Sequence, residues 1–121
     1  MISIGTDIVE VSRLRELISK YNDRFLKRTF SDNEIRYCSI HSDSAIHFAG
    51  RFSAKEAVKK AISSVPGMNS IPYNLISIKN NKTGRPYLEN TFPLAKKIDV
   101  SISHTREHAI AFAILSNDKS A

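Results

Sequence analysis

"DSAIHFAGRFSAKEAVKKAISS", residues 43 to 64, is the longest stretch of the chain that keeps one period. Ile46, Ala49, Gly50, Ala54, Ala57, Val58 and Ala61 recur at three- and four-residue steps, continuing to Val65, which predicts a long helix with one apolar face. Small residues dominate that stripe, so a neighbouring element can approach its backbone closely. Elsewhere the segment is charged: Arg51, Lys55, Lys59 and Lys60 surround Glu56, the single acid between residues 51 and 61. "VPGMNSIP" at 65 to 72 then breaks the period with proline and glycine, the most loop-like stretch of the chain.

Outward from this helix, the flanks read as strands and shorter helices. "ISIGTDIVE" at 2 to 10 mixes β-branched residues with a glycine and predicts a strand carrying Asp7 and Glu10 near its end. "VSRLRELISKY" at 11 to 21 puts Val11, Leu14, Leu17, Ile18 and Tyr21 on one helical face and leaves Arg13, Glu16 and Lys20 toward water. Ser31 three residues before Glu34 is a capping box, so a short helix containing Ile35, Tyr37 and Cys38 is expected there. After the long helix, strands are expected at 75 to 79 and 87 to 89 around the turn "NNKTGRP". Two more follow at "IDVSISH" and "AIAFAIL" with "TREH" turning between them. The order predicts an α+β fold, a long helix packed on a largely antiparallel sheet.

Length and composition bound the rest. The 121 residues, with 41% hydrophobic and 25% charged residues and only 4 Gly and 4 Pro, suit one globular domain spanning 1–121 and not a disordered or fibrous chain. Acids at Asp7 and Glu10 interrupt any secretory leader, and the apolar run 109 to 115 falls far short of the roughly 18 residues a membrane span needs. A cytoplasmic protein without membrane insertion is expected. Cys38 is the only cysteine, which excludes an intrachain disulfide and marks it as structural. A net charge of +6 favours phosphate groups, nucleic acid or an acidic protein as partners.

Glu56 admits two readings. On a helix it stands one turn before Lys60, so an i, i+4 ion pair worth only about 0.2 to 0.5 kcal/mol is the simplest. If the first strand runs beside the helix, however, Asp7 can meet Glu56, and two carboxylates with open positions suit Mg²⁺ bound to substrate phosphates. Arg51, Lys55 and Lys60 would then hold phosphate oxygens. "HTREH" at 104 to 108 fits the H-x-x-E-H pattern of certain zinc enzymes. Its flanks alternate like strands, though, and two residues four apart on one strand are separated by roughly 13 Å, too far to share an ion. His104 at a strand end is instead a candidate hydrogen-bond donor to phosphate or hydroxyl. The basic residues Arg13, Arg15, Lys20, Arg24, Lys27 and Arg28 are either a solvated face or a docking surface for an acidic protein.

Two other classes compete. A basic nucleic-acid-binding module without catalysis explains the charge. The six Phe and four Tyr, however, are scattered and not interleaved with basic residues as stacking platforms require. A non-catalytic assembly subunit leaves Asp7 and Glu56 as structural acids.

Three blocks, "IGTDIVEVSRL", "GRFSAKEAVKKA" and "SISHTREHAIAFA", with "TGRP" between the last two, resemble the holo-acyl-carrier-protein synthase family, the short bacterial 4'-phosphopantetheinyl transferases. Their order and spacing span nearly the entire chain. The resemblance implies the phosphopantetheinyl transferase fold. It also implies transfer of the phosphopantetheine arm of coenzyme A to a serine of apo acyl carrier protein, releasing adenosine 3',5'-bisphosphate, in fatty acid biosynthesis. Asp7 and Glu56 match the family's Mg²⁺ ligands, and with Lys60 they form the implied catalytic set. Arg51, Lys60, His104 and Thr105 fall at positions expected to contact coenzyme A, and Gly84 and Pro86 match a turn near the nucleotide. Arg13, with Arg24 and Arg28, resembles the docking arginines for the acidic carrier protein. The family pattern implies a homotrimer with active sites at subunit interfaces. Ser3 and Ser53 stand where glycine and alanine are usual, and neither is a proposed ligand.

Overall fold

The computed structural model describes residues 2–68, 70–89 and 96–117. The chain opens with strand β1, Ile2–Glu10, and passes directly into helix α1, Val11–Tyr21. Along β1 the side chains alternate: Gly5 and Val9 are buried, while Ile2, Ile4 and Ile8 face away from the core. Helix α1 buries Val11 and Leu14, as its period predicts. Tyr21 departs from that expectation and lies exposed at the helix end.

A helix that the sequence pattern does not announce follows, α2, Asp23–Thr29. Asn22 makes the corner between the two helices with a φ of 50°, a left-handed conformation that asparagine tolerates better than most residues. Seven residues with Phe25 and Leu26 as apolar anchors are too few to display a helical period. Phe25 packs edge-on against Phe30, with centroids 5.9 Å apart, and Phe30 in turn meets Phe48 at 4.9 Å. Helix α3, Asp32–Ser39, starts at the expected capping box: Glu34 N donates to Ser31 Oγ at 3.3 Å, and Ser31 N donates to Glu34 Oε1 at 2.9 Å.

The long helix α4 runs Ser44–Ile62, inside the predicted limits. A one-turn 3₁₀ helix, Tyr73–Leu75, precedes strands β2, Ser77–Asn80, and β3, Pro86–Glu89. Leu75 therefore closes a helical turn where a strand was expected. The Tyr73 carbonyl accepts both the Ile76 N–H and the Lys55 ammonium, and this curls the chain before β2 begins. Strands β4, Lys97–His104, and β5, His108–Ser116, follow.

The sheet order is β1-β5-β4, antiparallel throughout, with Asp7 opposite Ala111 and His104 opposite Ala109. Strands β2 and β3 form a separate antiparallel ribbon. Helix α4 lies across the inner face of the larger sheet. Gly5 is what permits this closeness: a Cβ placed there would sit 2.0 Å from the Ala57 carbonyl oxygen. One apolar cluster joins Ala54, Ala57, Val58 and Ala61 of α4 to Val100, Ala111, Ala113 and Leu115 of the sheet. A second gathers Val9, Leu14, Phe30, Cys38, Phe48 and Ala49 around the shorter helices. The α+β architecture of a long helix on an antiparallel sheet is as the sequence predicts. Among the described residues, no helix is long and apolar enough to cross a membrane.

One reading of the charged segment fails. Lys55 does not face a ligand: its side chain is fully buried, 2.5 Å from Glu34 Oε1, and it also donates to the carbonyls of Tyr73 and Ile76. The helical period already places Lys55 beside the apolar stripe, and Glu34, the capping-box acid, supplies the charge that lets it stay there. Glu34 Oε2 accepts the Ile78 N–H as well, so the pair ties α3, α4 and β2 together.

Candidate active site

Asp7 lies on the inner face of β1, which alternation dictates for an odd-numbered residue of this strand. Its backbone carbonyl accepts the Ser53 hydroxyl at 2.9 Å, fixing β1 against α4 one turn before Glu56. Lys60 reaches over from α4, with its Nζ 2.9 Å from the Thr6 carbonyl and 3.4 Å from Asp7 Oδ1. The simple i, i+4 pairing of Glu56 with Lys60 is therefore not the one found. Glu56 instead accepts a 2.5 Å hydrogen bond from the Tyr73 hydroxyl.

The two carboxylates feel each other. Burial raises the Asp7 carboxyl above its ordinary value, Lys60 opposes the shift, and Glu56 adds to it by like-charge repulsion. Tyr73 is pushed up to about 12, first by burial and then by its bond and proximity to Glu56, so it is a neutral donor across the physiological range. Asp7, Glu56, Lys60 and Tyr73 thus form one cluster between β1, α4 and the turn before β2. A pair of hard oxygen donors whose mutual repulsion is only partly met by a half-exposed lysine fits a divalent cation that takes its remaining ligands from water and phosphate. Among the described residues, no group of three or more His, Cys, Asp or Glu gathers as a closed metal cage.

A second grouping surrounds a cavity of about 150 Å³ lined by Arg51, Gly84, Pro86 and His104 together with Tyr37, Gly50 and Asn80. The first four are all predicted nucleotide-site residues, drawn from α4, the β2–β3 turn, β3 and the end of β4. Gly84 has a φ of 86°, which the turn requires and a side chain would oppose. Asn80 links the walls, donating to the Gly84 carbonyl at 2.8 Å and accepting from Arg51. The Arg51 guanidinium stacks on the Tyr37 ring at 4.3 Å. Arg51 is buried, and its Nε has no hydrogen-bond partner among the described residues, an unused donor of the kind an anionic ligand satisfies. His47 lines the same cavity, with its ring 3.7 Å from that of His41 and 6.0 Å from that of His104.

Thr105 lies in the β4–β5 turn and is not among the residues lining this cavity. Its hydroxyl accepts the backbone N–H groups of Glu107 and His108 at 3.2 and 3.1 Å. The H-x-x-E-H stretch straddles that hairpin turn and does not run along one strand, so strand spacing is not what separates its histidines. Arg24 and Arg28 line a groove of about 280 Å³ floored by Leu17, Tyr21 and Phe25 where α1 meets α2. Arg13 stands exposed on α1, and Arg15 is engaged with Asp43 at 2.9 Å. Sequence reasoning missed Tyr73, Tyr37, His47 and Asn80. The first three are aromatic and the last ends strand β2, and none carries a spacing signal.

The family model of the 4'-phosphopantetheinyl transferase superfamily matches residues 3–113. The holo-[acyl-carrier-protein] synthase of Protochlamydia amoebophila is 40% identical over 122 residues, covering 96% of this chain and 98% of its own. That of Halothermothrix orenii is 38% identical, covering 92% and 94%. A crystal structure of a holo-(acyl-carrier-protein) synthase from Bacillus anthracis in complex with CoA (3',5'-ADP) superimposes with a TM-score of 0.81. It is 30% identical, with 96% of each chain covered.

Proposed function

The chain belongs to the 4'-phosphopantetheinyl transferase superfamily, and from that premise we infer the reaction of a holo-[acyl-carrier-protein] synthase. It transfers the 4'-phosphopantetheine group of coenzyme A to a serine of apo acyl carrier protein, and adenosine 3',5'-bisphosphate leaves. The observation that carries the site assignment is that one helix bears both halves of it: Arg51, lining the cavity, and Glu56, facing Asp7, are five residues apart on α4. The nucleic-acid-binding alternative finds no support in the relatives, and the reading excludes nucleic acid and membrane as partners.

We assign Asp7 and Glu56 as the residues that hold Mg²⁺. When bound, the ion offsets negative charge on the pyrophosphate of coenzyme A. The chain's own groups do the rest. Arg51 and His104, with the turn at Gly84 and Pro86, hold the nucleotide end, and Thr105 shapes the hairpin beside it. Among the described residues Lys60 is anchored only to the Thr6 carbonyl and Asp7, and its half-exposed ammonium can shift to the departing phosphate. The incoming serine oxygen forms the new bond to phosphorus as the bond to the adenosine bisphosphate breaks, and the serine proton is released to solvent. The nucleophile comes from the partner, so catalysis here is chiefly positioning and charge stabilisation. Arg13, Arg24 and Arg28 on α1 and α2 receive the acidic carrier protein.

Assembly belongs to the same reading. Ile2, Ile4 and Ile8 of β1 and Ile110, Phe112 and Ile114 of β5 share the outer face of the sheet, with Ile2 71% and Ile8 64% exposed. A contiguous apolar face of this kind is characteristic of a subunit contact. It supports contact between subunits, and we propose with it the assembly the resemblance implies: a homotrimer of cytoplasmic subunits, each a single domain over 1–121, with active sites at the interfaces.

The test is the intact mass of apo acyl carrier protein after incubation with this protein, coenzyme A and Mg²⁺, with EDTA as control. A metal-dependent gain of one phosphopantetheine group is expected. No gain, on a carrier that another transferase modifies, overturns the reading.

A further inference from the structure

Tyr73 is held at several points although it lies in the connection between α4 and β2. Its hydroxyl donates to Glu56 Oε1 at 2.5 Å. Its ring stacks on Phe52, with centroids 6.1 Å apart and planes 23° apart, and Lys59 Nζ stands 4.0 Å from the ring centroid on α4. Its carbonyl accepts the buried Lys55 ammonium at 2.8 Å, and Lys55 is itself fixed by Glu34. Three consecutive turns of α4, at Phe52, Lys55 with Glu56, and Lys59, therefore grip one residue, Lys55 by its backbone carbonyl and the others by its side chain. Such a grip exceeds what a solvent-facing connection needs, and its outcome is a phenol pointed at one carboxylate oxygen.

Glutamate has several rotatable bonds, so a carboxylate on an open helix face samples many orientations unless something fixes it. We propose that Tyr73 is a positioning residue for Glu56: by engaging Oε1 it sets the plane of the carboxylate and leaves Oε2 as the oxygen offered to a cation shared with Asp7. This rests on the assignment of Asp7 and Glu56 as cation ligands. It extends the site by a side chain that touches neither substrate nor metal and acts through the ligand it orients, as outer partners of metal-binding carboxylates do. The buried Glu34–Lys55 pair then has a role beyond stability, because it locks the backbone from which the phenol projects.

The test compares the wild-type chain with Tyr73→Phe, which keeps the ring and its contacts with Phe52 and Lys59. Mg²⁺ alone is titrated calorimetrically without coenzyme A or carrier protein, kcat and the KM for coenzyme A are measured, and thermal unfolding is followed without metal. The expected result is Mg²⁺ binding weakened by about tenfold and kcat lowered in proportion, with KM for coenzyme A and the metal-free unfolding midpoint unchanged. Unchanged Mg²⁺ affinity or unchanged kcat in the variant overturns the inference while leaving the cation assignment intact. A lower metal-free midpoint overturns it too, by showing a structural role. If the wild-type chain itself binds no Mg²⁺, the cation assignment falls, and this inference with it.

Discussion

Lys60 Nζ lies 3.4 Å from Asp7 Oδ1, across the gap between α4 and β1, although Glu56 stands one turn away on its own helix. The long-range contact prevails because the Thr6 carbonyl adds a second acceptor at 2.9 Å and because Glu56 is already engaged by Tyr73. The basic residue is thus shared with the strand, and the two acids meet at the helix–strand crossing. It follows that Glu56→Gln should fold normally and lose transfer activity by on the order of 100-fold, since a neutral amide cannot serve the cation. Steady-state turnover with Mg²⁺ alongside circular dichroism checks this, and near-normal turnover sinks the assignment.

Gly5 makes that crossing possible. A Cβ at this position meets the Ala57 carbonyl oxygen at 2.0 Å and the Ala61 nitrogen at 2.8 Å, both backbone atoms that cannot step aside. Gly5→Ala should therefore lower stability by about 1 to 3 kcal/mol or more, and it should lower activity as well by pushing Asp7 away from Glu56. Urea unfolding and turnover, measured on the same preparation, should fall together. A variant as stable as the parent contradicts the close approach.

The sequence made these two elements legible for a physical reason. A nineteen-residue helix repeats its period often enough to be read, and β1 and β5 alternate over nine residues each. Asp7 and Glu56 could be placed at a crossing because the small residues of the stripe, Ala54, Ala57 and Ala61, forecast a close neighbour. What stayed hidden depends on long-range contact. Tyr73 looks like any loop aromatic until Lys55 captures its carbonyl, and the destination of Lys55 is set by Glu34, whose local signature is only that of a helix cap. Helix α2 was invisible because seven residues do not show a period, and its packing is decided by Phe25 meeting Phe30, which in turn meets a distant Phe48.

The Glu34–Lys55 pair should be costly to break and cheaper to replace. Both side chains are fully buried, and burial draws the Lys55 ammonium below its ordinary value while Glu34 works against that shift. Lys55→Met leaves a buried carboxylate unpaired and should destabilise by about 3 to 5 kcal/mol. The double variant Glu34→Gln, Lys55→Met should lose less than the sum of the two single changes, because it removes both charges. A denaturant-unfolding cycle measures the difference, and additive losses would mean the two residues are not coupled.

Stability should also fall in mild acid. Burial holds His47 below its ordinary value of 6.5, and His41, His104 and Arg51 push it the same way by charge repulsion. The unfolded chain therefore takes up a proton that the folded chain resists, so stability declines as pH falls through 6.5 and the decline ends below the lowered folded value. Thermal unfolding of the ligand-free protein should show a lower midpoint at about pH 5.5 than at about pH 7.5, and His47→Gln should flatten that slope. A slope unchanged by the substitution would place its origin elsewhere.

Arg13 offers the cleanest separation of docking from chemistry. It stands exposed on α1, makes no ion pair among the described residues, and lies away from the cavity and the carboxylate cluster. Arg15, two residues on, is occupied by Asp43, so the free charge on this turn is that of Arg13. If an acidic carrier protein docks here, Arg13→Ala removes about 1 kcal/mol of attraction at low salt, or about fivefold in affinity. The effect should appear in the KM for carrier protein and leave the KM for coenzyme A unchanged, because Arg13 does not line the cavity proposed to hold coenzyme A. It should shrink toward nothing near about 1 M salt, where charges are screened beyond about 3 Å. Kinetics at two ionic strengths, with each substrate varied in turn, test all three statements at once. A loss that persists at high salt would show that Arg13 acts through packing, and a change confined to coenzyme A would move it from the docking face into the active site.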